Sequence, residues 1–387
     1  MKSLFQKFLF FILLLLPVLD KIYEFADSSP AVMVRGGVVV IMVLLLLEQI
    51  TIRKAKPNSI IYHIVFLIFF MVSSTILNEQ DFSSFSSLTK ISYPLIGFIL
   101  IYYFVRNSTL DEKYFKIFIA SLIIIYGVIS FLNLGYRLDL RRGLSVADNT
   151  GYSLVTLLSG ILLFVNKKSF FLISLFIIVV GALICGKRGA IIAMAVAMLP
   201  IIKYYLNYHS LSSGKEVIMI ISIIIASYVA IYIFGDFINE SMSRFDSMEE
   251  DGGSGRDVLY KLYLFHFLQS DVIHQLFGHG LFAGLWGKTH EYAFSSFVAH
   301  NDWLEILFDF GVIGILLFMI IFRDIFVLLW KSRRNKGVLY FMLLVSFLIF
   351  GIKSILSSTF LMSPNSIYMF MLMAYAFAKL ETRSRIK

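Results

Sequence analysis

The feature that most constrains this chain is a series of apolar segments, each close to the length that crosses a lipid bilayer. A transmembrane helix needs about 20 mostly apolar residues. Composition supports this interpretation, because 59% of the 387 residues are hydrophobic and only 15% are charged, whereas soluble domains average about 25% charged residues. We therefore predict an all-α polytopic membrane protein with about twelve transmembrane helices. The candidate spans lie near residues 4–20, 32–50, 60–77, 91–105, 114–134, 151–165, 170–186, 189–206, 216–234, 301–322, 337–356 and 365–380.

The first apolar run has a second possible interpretation, as the core of a signal peptide. The residues after it, Pro17-Val18-Leu19-Asp20, lack the small-residue pattern of a cleavage site. We therefore expect an uncleaved first span.

The placement of lysine and arginine predicts the orientation of the chain. With the N-terminus in the cytoplasm, 21 of the 34 basic residues fall on the cytoplasmic side of the predicted spans. Cytoplasmic loops of membrane proteins carry an excess of these residues. We therefore expect both termini in the cytoplasm and the long segment between the ninth and tenth spans on the outer side.

Most of the other basic residues fall on the outer side from the fifth span onward. They are Arg137, Arg141, Arg142, Lys187, Arg188, Arg244, Arg256, Lys261, Lys288 and Lys353. Positive charge on the side that the orientation rule disfavours indicates an anionic ligand there. The alternative is that these groups pair with nearby acidic side chains, such as Asp139, Asp148 and Glu249, and with lipid phosphates.

A long polar stretch divides the spans into two groups. Residues 235–299 contain no apolar run of spanning length and include the solvated sequence Met248-Glu249-Glu250-Asp251-Gly252-Gly253. We expect three parts: residues 1–234 with the first nine spans, residues 235–299 as one large outer loop containing helices, and residues 300–387 with the last three spans.

Within this loop, the sequence predicts a helix that begins near Arg256. Ser254 and Asp257 have capping-box spacing, and a periodic apolar segment follows from Val258 to Leu268. Such a helix would direct its positive dipole end, together with Arg256, toward a bound anion. Four aromatic residues favour a helix that lies on the membrane surface. They are Tyr260, Tyr263, Phe265 and Phe267.

The histidines do not form a recognisable metal site. His63 and His209 fall in inner-side regions, where we expect structural roles. His266, His274, His279 and His290 lie in the loop, but none has a metal-ligand spacing such as HExxH. We interpret Gly278-His279-Gly280 as a turn. Because Cys185 is the single cysteine, a cysteine-based metal cluster and an internal disulfide are both excluded.

The loop ends at a segment that combines a histidine with three carboxylates. His300-Asn301 precedes the tenth span, and Asp302, Glu305 and Asp309 follow at i, i+3 and i+7. This spacing places the three carboxylates on one face of a helix. Acidic groups inside membrane helices are costly and commonly mark a substrate path or a buried partner. The loop and the helix that follows it therefore indicate a functional site.

Three motifs occur in order along the outer side of the predicted spans. They are Cys185-Gly186-Lys187-Arg188-Gly189-Ala190, Gly253-Ser254-Gly255-Arg256, and His300-Asn301-Asp302-Trp303-Leu304-Glu305 followed by Phe310-Gly311-Val312-Ile313-Gly314. Together they resemble the O-antigen ligase and O-antigen polymerase superfamily of bacterial envelope glycosyltransferases. A weaker match is Arg142-Gly143 with Asn149-Thr150-Gly151-Tyr152. Each motif alone is weak, but their order and shared outer location make the set more specific.

The resemblance implies a GT-C-like enzyme of the bacterial inner membrane, active on the periplasmic face. The donor would be an undecaprenyl-diphosphate-linked glycan, and the acceptor would be lipid A–core or another glycan. The enzyme would be surrounded by membrane lipids. It would need no metal, cofactor or nucleotide and would bind no nucleic acid. Arg188 and Arg256 would bind the diphosphate, with Arg142 and Lys187 as weaker ligands. His300 would be the catalytic base, and Asn301, Asp302 and Glu305 would orient it or form its surroundings.

Alternatives remain open at this point. A ligase and a repeat-unit polymerase share the same chemistry, and the single large loop favours the ligase slightly. A lipid-linked oligosaccharide flippase is less favoured, because the unusual charges gather at outer helix ends and not at the bilayer midplane. His300 itself could instead cap the tenth span, hydrogen-bond a loop carbonyl, or bind diphosphate as a cation. Asp302 or Glu305 could pair with the arginines.

Overall fold

The computed structural model describes most of the chain as helix, and no β-strand occurs in the part that it describes. The described residues are 2–22, 30–53, 57–78, 82–140, 150–185, 187–210, 256–281, 283, 299–334, 336–357 and 366–385. The predicted span at 216–234 lies outside them, as do Arg142, Arg244, Ser254 and His290. Arg188 is described in its backbone alone.

The described helices follow the apolar segments of the sequence. They are α1 (Lys2–Ile22), α2 (Pro30–Arg53), α3 (Ser59–Leu77), α4 (Phe82–Arg106), α5 (Glu112–Leu140), α6 (Thr150–Thr156), α7 (Leu158–Ile161), α8 (Lys168–Ile184), α9 (Arg188–Tyr208), α10 (Arg256–Gln269), α11 (Val272–Phe277), α12 (Asp302–Ser332), α13 (Val338–Leu356) and α14 (Ser366–Arg385), with a 3₁₀ turn at Leu162–Phe164. The span predicted at 151–165 is therefore not one helix, because it is interrupted between α6 and α7 and ends in the 3₁₀ turn.

Six stretches of the described residues are long and apolar enough to cross a membrane. They are Val34–Thr51, Ser59–Leu77, Glu112–Asn133, Gly189–Tyr208, Asp302–Ser332 and Val338–Leu356. Three shorter apolar stretches are Leu4–Leu19, Ile91–Arg106 and Lys168–Ile184. These helices confirm the prediction of an all-α polytopic membrane protein.

The chain divides into two compact units. The first unit comprises Met1–Val38, Leu110–Asp246 and Asn335–Ile349. Its helices pack partly through aromatic rings. Phe10 of α1 stacks on Phe118 of α5 with ring centroids 4.8 Å apart, and Phe171 of α8 stacks on Tyr205 of α9 at 4.6 Å.

The second unit comprises Val39–Thr109, Ser247–Arg334 and Phe350–Lys387, and it contains the His300 segment. Helices α4 and α14 pack side by side, and the buried Tyr102 hydroxyl donates to Oε2 of Glu381 over 2.8 Å. Helix α12 packs on α3, where His63 Nδ1 lies 2.7 Å from Oδ2 of Asp324. This contact supports the expected structural role of His63.

Candidate functional site at the start of α12

The His300 segment leads directly into α12, and Asn301 caps the helix. The side-chain oxygen of Asn301 accepts hydrogen bonds from the backbone N–H groups of Trp303 (3.0 Å) and Leu304 (3.2 Å). These are two of the N–H groups that the first turn of a helix leaves without a helical partner. His300 is therefore not the cap of this helix, which removes one of the alternative roles considered for it.

His300 has a backbone conformation that is uncommon for a residue with a side chain. Its φ angle is 53°, in the left-handed region, where histidine is tolerated better than most residues. The backbone N–H of His300 donates to Oε1 of Glu305 over 2.8 Å. Glu305 thus fixes the backbone of His300 in a conformation that costs about 1–3 kcal/mol in local strain. Such strain persists where the surrounding structure holds it, and this occurs most often at functional sites.

The three carboxylates of α12 are all buried. Asp302, Glu305 and Asp309 are 0%, 1% and 2% exposed, so the surrounding protein covers each of them. Lys353 of α13 is also buried, at 2% exposed, and it interacts electrostatically with Asp302. Of the two roles open to Lys353, pairing with a carboxylate is the one that the structure supports.

Trp303 strengthens the same junction between α12 and α13. Its indole N–H donates to the hydroxyl of Ser354 over 3.0 Å, and that hydroxyl donates to the carbonyl of Gly351 over 2.8 Å. Its ring also packs edge-on against Phe318, with centroids 5.1 Å apart. The first turn of α12 is therefore held by polar and aromatic contacts together.

Tyr263 of α10 reaches into the site from the loop. It is 3% exposed, and its ring meets that of Phe308 edge-on at 5.4 Å. Burial raises the pKa of Tyr263 well above its ordinary value, and the nearby carboxylates of Asp309 and Glu305 raise this pKa further. The backbone N–H of Ala299 donates to the Tyr263 oxygen and opposes the shift. The phenol is therefore uncharged at neutral pH.

Arg256 is the first residue of α10, as predicted, and its side chain has a defined position. One terminal nitrogen of the guanidinium donates to the carbonyl oxygen of Leu356, at the end of α13, over 2.6 Å. A guanidinium carries five N–H donors, so this bond orients a group that has further donors to offer. A cation at the carboxyl end of a helix also complements the negative end of the helix dipole.

Two glycines allow the loop to pack closely against α12. Gly278 has φ 79° and ψ 177°, and Gly311 has φ 64° and ψ −168°, in a region that only glycine readily adopts. A Cβ atom on Gly278 would collide with the backbone of Asp309 and Phe310, and one on Gly311 with the backbone of Leu276 and Gly278. Gly311 therefore breaks the helical geometry of α12 where the turn after α11 packs against it.

The same turn is attached to α3. The Ser74 hydroxyl donates to the carbonyl of Phe277 over 2.9 Å, and the side-chain amide of Asn78 donates to the carbonyl of Gly278 over 3.3 Å. The backbone N–H of Gly280 donates to the carbonyl of Asp309 over 2.8 Å. The turn predicted at Gly278-His279-Gly280 is therefore a packing element between α3 and α12.

A cluster of loop histidines lies beside this turn. The ring of His279 stacks between those of His274 (4.4 Å) and Phe308 (4.7 Å), and its Nε2 lies 2.7 Å from the Ser270 hydroxyl. Burial, with a contribution from the neighbouring His274, lowers the pKa of His279 to about 4. Within the described residues, no group of three or more histidine, cysteine, aspartate or glutamate side chains is arranged to hold a metal ion.

The residues of the predicted site belong to two different units. His300, Asn301, Asp302, Glu305 and Arg256 belong to the second unit. Lys187 and Arg188 belong to the first unit, where Lys187 is half-buried and precedes α9.

One sequence interpretation was wrong for two residues of α10. Tyr263 and Phe267 do not lie on a membrane-facing surface, because both are buried in a cluster with Ala299 and Phe308. Phe265, by contrast, is about half exposed. Helix α10 therefore presents one aromatic face to the protein.

Sequence reasoning missed the role of Tyr263. It could have been found from its i+7 spacing to Arg256, which places both residues on one face of α10. For Lys353 the sequence left two roles open, an anionic ligand or an acidic partner, and the structure supports the acidic partner.

The fold and the site define a multi-pass helical membrane protein with a buried, charged cluster at the beginning of one span. Residues 173–319 match the family described as O-antigen ligase. This match covers less than half of the chain, and it confirms the resemblance to the O-antigen ligase and polymerase superfamily. No curated protein matches the sequence.

Proposed function

We propose that this chain is a metal-independent glycosyltransferase of the bacterial inner membrane, with a GT-C-like architecture. It transfers a glycan from undecaprenyl diphosphate to an acceptor on the periplasmic face, and its acceptor is lipid A–core, as in an O-antigen ligase. One observation carries this proposal. The O-antigen ligase match, over residues 173–319, contains Arg188, Arg256 and His300 together with the buried carboxylates of α12.

His300 acts as the general base in this proposal. A hydroxyl oxygen of the acceptor attacks the anomeric carbon of the donor while the bond from that carbon to the diphosphate oxygen breaks. The hydroxyl proton passes to the neutral imidazole of His300, and undecaprenyl diphosphate departs with the electron pair of the broken bond. The ordinary histidine pKa of about 6.5 suits this role, and general-base catalysis contributes about 10²–10⁴-fold in rate.

Arg188 and Arg256 bind the leaving diphosphate, with Arg142 and Lys187 as weaker ligands. Guanidinium groups bind phosphate oxygens through two parallel hydrogen bonds. Charge that develops on the leaving group is stabilised most by cationic groups already in place. The bond from Arg256 to the Leu356 carbonyl supports such a fixed position.

The polar residues around His300 act on its backbone. Glu305 accepts the N–H of His300, and Asn301 caps the helix that follows. Asp302 interacts electrostatically with Lys353. In this proposal, Glu305 and Asn301 therefore orient His300 by fixing the backbone around it.

The test is glycan transfer by purified protein in lipid nanodiscs, measured between about pH 5.5 and 8, across the ordinary histidine pKa. His300→Ala and His300→Gln should both lose at least about 100-fold in rate. The wild-type rate should fall as the pH drops through the histidine pKa. His209→Gln is the matched control, because His209 Nε2 contacts the carbonyl of Val165 at 3.0 Å, in the first unit.

Three outcomes would contradict the proposal. Near-normal transfer by His300→Gln would remove His300 from the mechanism. A rate that instead rises as the pH falls would assign His300 the role of a cation that binds diphosphate. Transport of the lipid-linked glycan without transfer would favour a flippase.

A repeat-unit polymerase is the second candidate, because it joins glycans by the same chemistry. The description of the matched family as O-antigen ligase favours the ligase. The identity of the acceptor distinguishes a ligase from a polymerase. In the same assay a ligase extends lipid A–core, whereas a polymerase extends a second carrier-linked repeat unit.

A further inference from the structure

Two consecutive N–H groups next to the proposed base are held by side chains from different elements. The N–H of Ala299 donates to the oxygen of Tyr263, on α10. The N–H of His300 donates to Oε1 of Glu305, on α12. Directly after these two N–H groups, His300 adopts the left-handed conformation, with φ 53°. Both hydrogen bonds therefore stabilise one strained point of the backbone.

The position of Tyr263 is itself well defined by packing. Its ring is buried with Phe267, Ala283, Ala299 and Phe308, and Ala299 is completely inaccessible to solvent. In the uncharged state, the phenol can accept the Ala299 N–H and still offer its own proton to the carboxylates of α12. The hydroxyl group thus lies among backbone and carboxylate atoms that also contact His300.

We infer that Tyr263 is a positioning residue for His300, and that it acts by holding the Ala299 backbone beside the catalytic histidine. This inference rests on the proposed function of His300 as general base. Tyr263 does not react with the substrate. It sets the direction from which the His300 side chain leaves the backbone, and a displacement of about 1 Å at a reacting group can cost about 100-fold in rate.

The same helix links this positioning to donor binding. Arg256 and Tyr263 are both on α10, about 10 Å apart along the helix axis at a rise of about 1.5 Å per residue. The i, i+7 spacing places them on one face. A shift of α10 that accompanies diphosphate binding at Arg256 would therefore also move the contact that holds Ala299.

The test compares Tyr263→Phe with Tyr260→Phe. Each substitution removes one hydroxyl from α10, and Tyr260 also packs against the cluster that contains Tyr263. We expect Tyr263→Phe to reduce kcat by about 10- to 100-fold, with KM for the donor and the thermal midpoint close to wild type. Tyr260→Phe should leave kcat within about two-fold of wild type.

A second measurement does not depend on transfer activity. Modification of individual histidines by diethyl pyrocarbonate, followed by mass spectrometry, reports the exposure of each ring. Tyr263→Phe should change the modification rate of His300 by several-fold and leave that of His209 unchanged. If Tyr263→Phe lowers the folded fraction and the activity by the same factor, kcat per folded molecule is unchanged. That result would overturn the inference and assign Tyr263 a structural role.

The two proposals can fail separately. If His300→Gln abolishes transfer while Tyr263→Phe changes neither kcat nor His300 modification, the positioning inference is wrong and the proposed function stands. If Tyr263→Phe alters His300 modification but His300→Gln transfers normally, Tyr263 positions a residue that is not the base, and the proposed function is wrong.

Discussion

The backbone N–H of His300 donates to the carboxylate of Glu305 over 2.8 Å. Glu305 lies one turn into α12, so the helix that begins after His300 also holds His300 in place. The bond accounts for a buried carboxylate that the apolar surroundings would otherwise disfavour. It also explains how a histidine can keep a φ angle of 53° at the entrance of an apolar span.

Glycan transfer should require the positive charge of the two arginines proposed to bind diphosphate. Arg188→Ala and Arg256→Ala should abolish transfer, while the amount of protein in the membrane stays near wild type. Arg188→Lys and Arg256→Lys should restore transfer only in part, because an ammonium group cannot bind phosphate in the bidentate geometry of a guanidinium. Transfer at the wild-type rate by both lysine variants would contradict bidentate binding. Nanodisc assays with matched protein amounts provide the measurement.

The orientation of the chain can be tested by cysteine labelling, because the single native cysteine, Cys185, is buried. Lys261 of α10 and Lys331 of α12 are both exposed. Lys261→Cys should react with a membrane-impermeant maleimide from the periplasmic side, and Lys331→Cys only after access to the cytoplasmic side is opened. Labelling of position 261 from the cytoplasm would reverse the orientation and, with it, the proposed side of catalysis.

The buried pair of Lys353 and Asp302 should stabilise the second unit only when both members are present. Lys353→Met alone should lower the free energy of unfolding by about 3–5 kcal/mol, because it leaves a buried carboxylate without its countercharge. Lys353→Met combined with Asp302→Asn should recover part of this loss. Thermal unfolding of the single and double variants gives the coupling energy. Strictly additive losses would show that the two groups do not interact.

Gly311 should be intolerant of any side chain. Gly311→Ala should lower the free energy of unfolding by at least about 1–3 kcal/mol, because its φ and ψ angles are accessible almost only to glycine. The added methyl group would also collide with the backbone of Leu276 and Gly278. Gly36→Ala is the control, since a methyl group there meets no atom within 4 Å. Equal stability of the two variants would contradict the close packing of the turn on α12.

Protonation of His279 at low pH should destabilise the loop. Its pKa is lowered to about 4 in the folded protein, against about 6.5 in the unfolded chain. Between these values the unfolded chain binds a proton that the folded protein does not, so stability is complete above about pH 6.5 and is lost as the pH falls toward 4. The lowered pKa of His266 acts in the same direction.

The thermal midpoint of unfolding is measured at a series of pH values from about 7 to 4, the range over which His279 affects stability. His279→Phe keeps an aromatic ring at the stacking position and removes the titrating group. This variant should show a smaller loss of thermal stability on acidification than wild type. An unchanged pH dependence would show that His279 is not its source.

Several features of the protein could be predicted from the sequence, because each depends on residues close together in the chain. Most of the predicted spans within the described residues are single helices, since a bilayer satisfies no backbone hydrogen bonds. The carboxylates at 302, 305 and 309 share one face because helical periodicity places them there. The helix that begins at Arg256 followed from its capping pattern, and the break between α6 and α7 had no such local signal.

Tertiary structure decided which elements meet. Arg256 contacts a carbonyl 100 residues away, and Trp303 bonds a serine 51 residues away. Tyr263 faces Ala299 because one side of α10 packs on α12 and not on lipid. In a chain where nearly every helix is apolar, hydrophobicity alone does not distinguish a lipid-facing surface from a protein-facing one. Close packing and buried polar pairs make that distinction, and both form only when the helices are assembled.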